Sequence, residues 1–181
     1  MPPSDQPVPP SYPPSVIGRR FSYEGKVYLA DTVGMRWVTN PAVYNALFRD
    51  WNGITALRNP AGPLPSESAL ASYLQSGPPD YRLFMLSPMG PALPEDAVLM
   101  KDPPAPAVYL VDGNMKRHIA SPDIMDQYYF NWNVIQAVPA ATLAALTAGA
   151  AVDATPNVEL GSSSPMYVAV SLDRVTYLSE T

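Results

Sequence analysis

The sequence contains an internal repeat, and this feature constrains the fold more than any other. When the 181-residue chain is aligned with itself so that Val27 lies opposite Val108, residues 27–54 match residues 108–135 without a gap. Nine aligned positions are identical, where chance gives about two. The identical pairs are Val27/Val108, Tyr28/Tyr109, Leu29/Leu110, Asp31/Asp112, Arg36/Arg117, Pro41/Pro122, Trp51/Trp132, Asn52/Asn133 and Ile54/Ile135. The chain is therefore expected to fold as two similar units.

Each copy predicts a β-hairpin. In the second copy, a β-branched and aromatic run over residues 108–112 leads to Asp112-Gly113, a pair typical of tight hairpin turns. Residues 116–119 then return as the second strand, with alternate side chains on opposite faces. The first copy lacks the Asp-Gly pair at this point, so a wider hairpin is expected there.

A short helix is predicted after each hairpin. Ser121 before Pro122 is typical of a helix N-cap followed by proline at the first helical position, and an Asn-Pro pair ending at Pro41 repeats the signal. Apolar residues four apart then indicate an amphipathic helix. A second short helix is predicted in each unit, over residues 66–75 and 140–148.

The predicted fold class is α+β, a tandem pseudo-repeat of antiparallel β-hairpins that are each followed by short helices. A strand candidate precedes each hairpin, and residues 166–178 predict a third hairpin with no helix after it. Such a half-unit is a common way for a repeat array to cover its end. The expected divisions of this single globular domain are an extended Pro-rich arm (1–15), repeat unit 1 (16–80), a linker or loop (81–96), repeat unit 2 (97–155) and a terminal half-repeat (156–181).

The N-terminal arm is the most biased segment of the chain. Seven of the 23 prolines lie before Ser15, a composition that favours polyproline II and cannot build a core of its own. The segment has neither a basic region nor an apolar run, so it is not expected to be a secretory signal. An arm of this kind can order on contact with a neighbouring subunit.

The overall composition argues against several classes of partner. The net charge is −5 and the isoelectric point is near 4.7, whereas a protein that binds the nucleic-acid backbone needs a basic face. No apolar run approaches the roughly 18 residues of a membrane span. Cysteine is absent, which excludes disulfides and thiolate metal sites.

No set of residues qualifies as a catalytic, metal or cofactor site. His118 is the single histidine, and its counterpart in the first copy is Trp37, an indole that could replace neither a general base nor a metal ligand. Neither a glycine-rich phosphate loop nor a serine nucleophile motif is present. The protein is therefore expected not to be an enzyme and to need no cofactor.

The residues shared by the two copies are interpreted as a structural framework. Asp31/Asp112 and Arg36/Arg117 are expected to form ion pairs that brace each hairpin, contributing about 0–1 kcal/mol if exposed. Each repeated tryptophan is expected to anchor the core of its unit. The predicted framework residues are Tyr28, Asp31, Arg36, Pro41, Trp51, Tyr109, Asp112, Arg117 and Pro122.

The surplus of tyrosine indicates a binding surface. The chain has eleven Tyr against four Phe and three Trp, and consecutive rings over residues 128–130 cannot all fit one apolar helix face. Exposed Tyr and Trp suit protein contacts or stacking on sugars, although burial between the repeats would also account for them. The candidate binding residues are Trp37, Tyr128, Tyr129 and Trp132.

The pattern V-Y-L-V-D-G-x-x-K-R-x-I from Val108, followed by Ser-Pro, a short helix and a tryptophan, resembles a repeat found in exported proteins of actinobacteria and related bacteria. In that family the repeat accompanies cell-wall enzymes as a non-catalytic accessory module, and similar segments occur in virion proteins of phages that infect these hosts. The resemblance covers about 60 of the 181 residues. It implies a surface-associated role without a reaction.

Three functional hypotheses remain open from the sequence, and the least favoured is an enzyme, which would need a pocket with at least two convergent acids. The first is a non-enzymatic structural protein of a phage virion, at the tail or capsid surface, whose arm and Tyr-rich face contact other virion subunits, a second copy of the chain or the host. The alternative is a bacterial cell-surface module that binds cell-wall carbohydrate through its exposed rings. Both imply a location in a virion or outside the cell.

Overall fold

The computed structural model describes residues 16–57 and 89–154, single positions at 80, 84 and 87, and two strands near the C-terminus. The predicted arm (1–15) and the predicted helix over residues 66–75 lie outside the described residues. Within the described part, no helix has both the length and the apolar character needed to cross a membrane.

The fold is mixed α+β, which confirms the predicted fold class at this level. The described strands are β1 (Arg20–Tyr23), β2 (Lys26–Asp31), β3 (Gly34–Val38), β4 (Ile54–Ala56), β5 (Val98–Lys101), β6 (Val108–Asp112), β7 (Met115–His118), β8 (Gln136–Ala137), β9 (Thr147–Ala148), β10 (Met166–Val170) and β11 (Val175–Ser179). The described α-helices are short: α1 (Pro41–Leu47), α2 (Pro122–Gln127) and α3 (Ala140–Ala144).

The strands form two mixed sheets and a separate hairpin. The first sheet has the order β3-β2-β1-β4, with β1 to β3 antiparallel and β4 parallel to β1. The second has the order β8-β5-β6-β7-β9, with β5 to β7 antiparallel and the outer strands β8 and β9 parallel to their neighbours. Strands β10 and β11 pair antiparallel, which confirms the hairpin predicted at this place.

The hairpins of the two sheets have the same register. Tyr28 pairs with Trp37 in the first, and their aligned counterparts, Tyr109 and His118, pair with each other in the second. The helix that follows each hairpin begins in the predicted way, with a proline in its first turn. The side chain of the N-cap, Asn40 or Ser121, accepts a hydrogen bond from the backbone N–H three residues later.

A parallel segment lies along the outer strand of each hairpin. In the first sheet, residues 89–93 bridge β3 at two points, and in the second, residues 147–152 bridge β7 and the residue after it. We call these the closing segments. Leu93 and Val152 are equivalent within them, because Leu93 N donates to Trp37 O and Val152 N donates to His118 O, both at 2.8 Å. The first closing segment thus falls within the stretch that the sequence assigns to a linker.

Two expectations from the sequence are wrong in detail. The first hairpin is no wider than the second, because both have two residues between their strands. Its turn needs no Asp-Gly pair, since Thr32 N donates to Asp31 Oδ1 at 2.7 Å and holds the chain in the turn. The helix predicted over residues 140–148 ends at Ala144, because Thr147 and Ala148 pair with β7 instead.

The two halves of the described chain share one hydrophobic core. Phe48 and Phe130 form an antiparallel bridge between them, with the rings stacked at 5.6 Å. Backbone hydrogen bonds from Arg49 N to Tyr129 O (3.2 Å) and from Asn131 N to Leu47 O (2.9 Å) flank this bridge. The two halves are therefore held together by main-chain contacts as well as by apolar packing.

Gly18 allows the start of the first sheet to approach α2 closely. A Cβ on Gly18 would lie 2.4 Å from the carbonyl oxygen of Gln127, whereas a Cβ on Gly25 would meet nothing within 4 Å. Both glycines have positive φ, +87° and +76°. We expect Gly25→Ala to cost about 1 kcal/mol of unfolding free energy and Gly18→Ala at least about 3 kcal/mol, as measured by denaturant titration. Equal losses in the two variants would contradict the close approach.

Candidate functional site

A buried ion-pair network lies between the two hairpins. Asp31, at the end of β2, has no solvent-exposed surface. Its Oδ2 accepts hydrogen bonds from Nη1 of Arg36, at 3.2 Å, and from Nη1 of Arg117. Its Oδ1 accepts from Nη2 of Arg117 at 2.9 Å. One carboxylate therefore holds an arginine from each hairpin, and its contact with Arg117 is bidentate.

The network is nearly reciprocal between the two hairpins. Asp112 is the counterpart of Asp31, and its Oδ2 accepts from Nη1 of Arg36 at 2.8 Å. Each hairpin thus provides an arginine to the aspartate of the other. Arg36 also donates through Nε to Pro91 O at 2.7 Å, and Arg117 through Nε to Ala150 O at 2.8 Å. The arginines therefore bind the closing segments as well as the aspartates.

Further hydrogen bonds complete the shell around Asp31. Thr32 Oγ1 accepts from Arg117 Nη2 at 3.0 Å and donates to Asp31 Oδ1 at 3.2 Å. The hydroxyl of Tyr128 donates toward Asp31 Oδ1, and Asp153 O lies at the same distance of 3.2 Å. Burial alone would raise the pKa of Asp31, but the hydrogen bond and charge of Arg117, together with those of Arg36, hold it below its ordinary value. Asp31 is therefore an ionised, saturated structural group.

The framework residues occupy varied positions. Asp31, Arg36 and Arg117 are buried and Asp112 is 13% exposed, so these residues connect the hairpins instead of only bracing each one. Pro41 and Pro122 begin their helices. The ring of Tyr28 packs edge-on against that of Phe84, with the ring centroids 5.0 Å apart. The ring centroids of Tyr109 and His118 are 5.5 Å apart.

Tyr128 is not part of an exposed aromatic surface. It has no solvent-exposed area, its ring stacks 5.2 Å from Phe130, and its hydroxyl points into the network. Burial, followed by the charge of Asp31, raises the pKa of this hydroxyl. The interpretation of Tyr128 as a binding residue is therefore wrong, since the space between the two halves encloses its ring.

Tyr129 is a partly exposed ring that two arginines enclose. The guanidinium carbon of Arg20 lies 4.0 Å from the ring centroid, and that of Arg49 lies at 5.3 Å. The hydroxyl lies 3.1 and 3.0 Å from the two carboxylate oxygens of Asp50, and the residue adopts φ of +60°. The hydrogen bond to Asp50 raises the pKa of Tyr129. This side chain connects the second half of the chain to the first.

The two repeated tryptophans are surface residues, so the prediction that they anchor the core is wrong. Trp51 is 47% exposed and Trp132 is 43% exposed. Each indole N–H donates to a side chain six residues earlier, Asn45 for Trp51 (2.9 Å) and Asp126 for Trp132 (3.2 Å). This local hydrogen bond fixes each ring across the last turn of its helix, while part of the ring remains open to solvent.

A surface hollow of about 270 Å³ lies beside Trp132. His118 and Trp132 line it, together with the start of α2 and the residues before β6. Sequence reasoning missed Met125 in its wall, although the alignment already placed this residue opposite Tyr44 of the first copy. Trp37, the counterpart of His118, lies in the first sheet with the amino group of Lys26 5.4 Å from its ring centroid. Of the four candidate binding residues, only Trp132 lines this hollow.

Among the described residues, no group of three or more His, Asp or Glu side chains could hold a metal ion. No protein-family model matches the chain, and neither the curated proteins nor the solved structures searched gave a match. The geometry of the described residues is therefore the basis for a functional proposal.

Asp31 is expected to be essential for stability. Asp31→Asn leaves the buried guanidinium of Arg117 without its counter-charge, and breaking a buried pair in this way costs about 3–5 kcal/mol. Asp126→Asn is the matched control, because it removes the charge from the exposed pair with Arg49, and its effect should be much smaller. Denaturant titration of both variants measures the difference. Similar losses would show that the buried network does not hold the halves together.

The stabilising effect of Asp31 should also depend on pH. Because its pKa is lower in the folded protein than the ordinary value of 3.8, its contribution is fully present above that value and is lost as pH falls through the folded-state pKa. The difference in unfolding free energy between the wild type and Asp31→Asn should therefore shrink below about pH 4. A difference that stays constant between neutral and strongly acidic pH would contradict the assigned charge state.

Proposed function

We propose that this protein is a non-enzymatic structural and interaction component of a phage virion, at the tail or capsid surface. It is a tandem pseudo-repeat scaffold of two full units and a terminal half-unit. Its proline-rich arm and its exposed aromatic surface contact other virion subunits, a second copy or the host envelope. The identical registers of the two aligned hairpins and the reciprocal aspartate–arginine pairs support the repeat part of this proposal.

The observation that carries the interaction part is the exposure of four large apolar side chains. Trp51, Met89, Met115 and Trp132 are each between 40% and 51% exposed. Large exposed apolar groups, tryptophan and methionine in particular, are enriched at protein interfaces. The buried polar groups support a scaffold role, because Arg36 and Arg117 already donate to Asp31 and to backbone carbonyls.

The virion proposal predicts that the chain is present in assembled particles. Particles released from the host that carries this gene would be purified on a density gradient and analysed by quantitative mass spectrometry. We expect peptides from the described residues in a constant ratio to the major capsid or tail protein through successive gradients. A ratio that falls to zero with purification would overturn the proposal.

The exposed tryptophan beside the hollow favours a second candidate function, binding to cell-wall carbohydrate. A half-exposed indole at the edge of an apolar hollow offers a flat apolar face that can stack on a sugar ring. Trp51 provides a matched control, because its exposure is similar while Tyr44 already stacks on its ring at 3.9 Å.

Carbohydrate binding predicts retention of the protein on purified cell walls. We expect Trp132→Ala to reduce the retained fraction several-fold and Trp51→Ala to leave it close to wild type. Sedimentation with insoluble peptidoglycan measures both. No retention of the wild type above background, or equal losses in the two variants, would rule out this candidate.

A further inference from the structure

The hollow beside Trp132 has the chemical character of a groove for a proline-rich segment. At about 270 Å³ it is slightly smaller than the roughly 300–1,000 Å³ typical of pockets for drug-sized ligands. The residues that line it are Pro106, Ala107, Val108, His118, Ile119, Ala120, Ser121, Pro122, Met125 and Trp132. Two rings and two prolines in an apolar wall form the type of surface on which polyproline II segments dock.

In the first half of the chain, a tyrosine ring occupies the position that corresponds to Met125. Tyr44 and Trp51 are the aligned counterparts of Met125 and Trp132, and their rings stack with centroids 3.9 Å apart. Met125 has no ring, and among the described residues no ring stacks on Trp132. Both indoles are exposed to a similar degree, so the two halves differ in that a neighbouring ring covers one face of Trp51 and, in the described part of the chain, none covers Trp132.

The chain enters the described structure next to this hollow. The carbonyl of Ile17 accepts a hydrogen bond from Nε2 of Gln127 at 3.0 Å, and Gly18 packs against the same end of α2. Pro122, at the other end of α2, lines the hollow. A helical rise of about 1.5 Å per residue separates the two ends by about 7.5 Å.

We propose that this hollow binds the proline-rich segment of the chain's own arm, residues 7–14. The segment contains two overlapping P-x-x-P patterns, Pro7 to Pro10 and Pro10 to Pro13, the pattern typical of polyproline II ligands. The eight residues of this segment span about 25 Å in that conformation, well beyond the length of α2. A short tether also gives an effective concentration in the millimolar range, which favours the arm of the same chain over that of a second copy.

The polar groups of the two partners are complementary. A proline has a carbonyl acceptor but no N–H, so a proline-rich segment needs donors from its partner. His118, an exposed residue on the wall, carries a ring N–H, and Ser121 keeps a hydroxyl hydrogen while its oxygen accepts from Ile124 N. The wall thus offers donors for carbonyl groups that the arm cannot pair within itself.

The absence of cysteine from the full chain makes a direct test possible. A Ser11→Cys variant carries a nitroxide label in the arm, and the indole N–H signals of the tryptophans are recorded by NMR with the label oxidised and then reduced. We expect the Trp132 signal to fall to less than about half its reduced-label intensity, because a tethered arm is mostly bound. The Trp51 signal should stay close to its full intensity.

Two further variants distinguish binding of the arm to the hollow from mere proximity of the nitroxide to Trp132. Replacing Pro9 and Pro10 by alanine keeps the tether and leaves the hollow unchanged, and it should restore most of the Trp132 intensity. Met125→Phe should also restore it by filling the hollow from within. Restoration in the proline variant supports the inference. If the Trp132 signal remains weak in that variant, or if both tryptophans respond equally in the parent, the inference is overturned.

Mixing two samples of the protein tests whether the bound arm belongs to the same chain as the hollow. Isotope-labelled protein without nitroxide is combined with unlabelled protein that carries it. Full intensity of the Trp132 signal in the mixture is expected and supports binding within one chain. A weakened signal would identify a second copy as the occupant and would overturn the inference. These experiments use the isolated chain, in which no neighbouring subunit competes for the arm, so their outcome is independent of the contacts that we propose for the arm in a virion.

Discussion

The carboxylate of Asp31 is the contact on which the arrangement of the two hairpins depends. It is buried without exposed surface, and a buried charge is tolerated only when it is paired and hydrogen-bonded. Arg36 and Arg117 provide the pairing from opposite hairpins, and the same arginines bind the carbonyls of the closing segments. A displacement of either hairpin would leave a charge unpaired in the core, so the network specifies the relative position of the two sheets.

The features that the sequence predicted well are governed by local chemistry. The hairpins, their helices and the Asn and Ser N-caps depend on residues a few positions apart, so a single copy contains all the information needed for each. The turn at Gly113, with φ of +57°, follows from Asp-Gly in the same way. The fold class follows from counting such elements. The arm and the helix predicted over residues 66–75 lie outside the described residues and stay predictions.

The features that the sequence did not reveal depend on contacts between distant segments. Equal spacing of Asp31, Arg36 and their counterparts predicts pairs within each hairpin. The pair of Asp31 with Arg36 is present, but the pairs that cross from one hairpin to the other follow only from the three-dimensional arrangement. The gap-free alignment does not reveal the closing segments. Leu93 and Val152 are separated by fewer residues than aligned hairpin residues such as Tyr28 and Tyr109, so an alignment without gaps cannot place them opposite each other. The exposure of the two repeated tryptophans does not follow from the sequence for another reason. An acceptor lies six residues before each ring, but a large aromatic side chain favours a core position unless its surroundings are known.

The lengths of the outer strands have a consequence for the behaviour of the protein at high concentration. An unpaired sheet edge is a template for pairing with another molecule, and natural proteins limit this risk with short edge strands. In the two mixed sheets, the outer strands β4, β8 and β9 have three, two and two residues. The remaining outer strand, β3, has five residues and is bridged at two points by the first closing segment. These edges offer too few free backbone groups to seed an extended intermolecular ladder. A molecule built in this way can be present in many closely packed copies without forming aggregates through these edges.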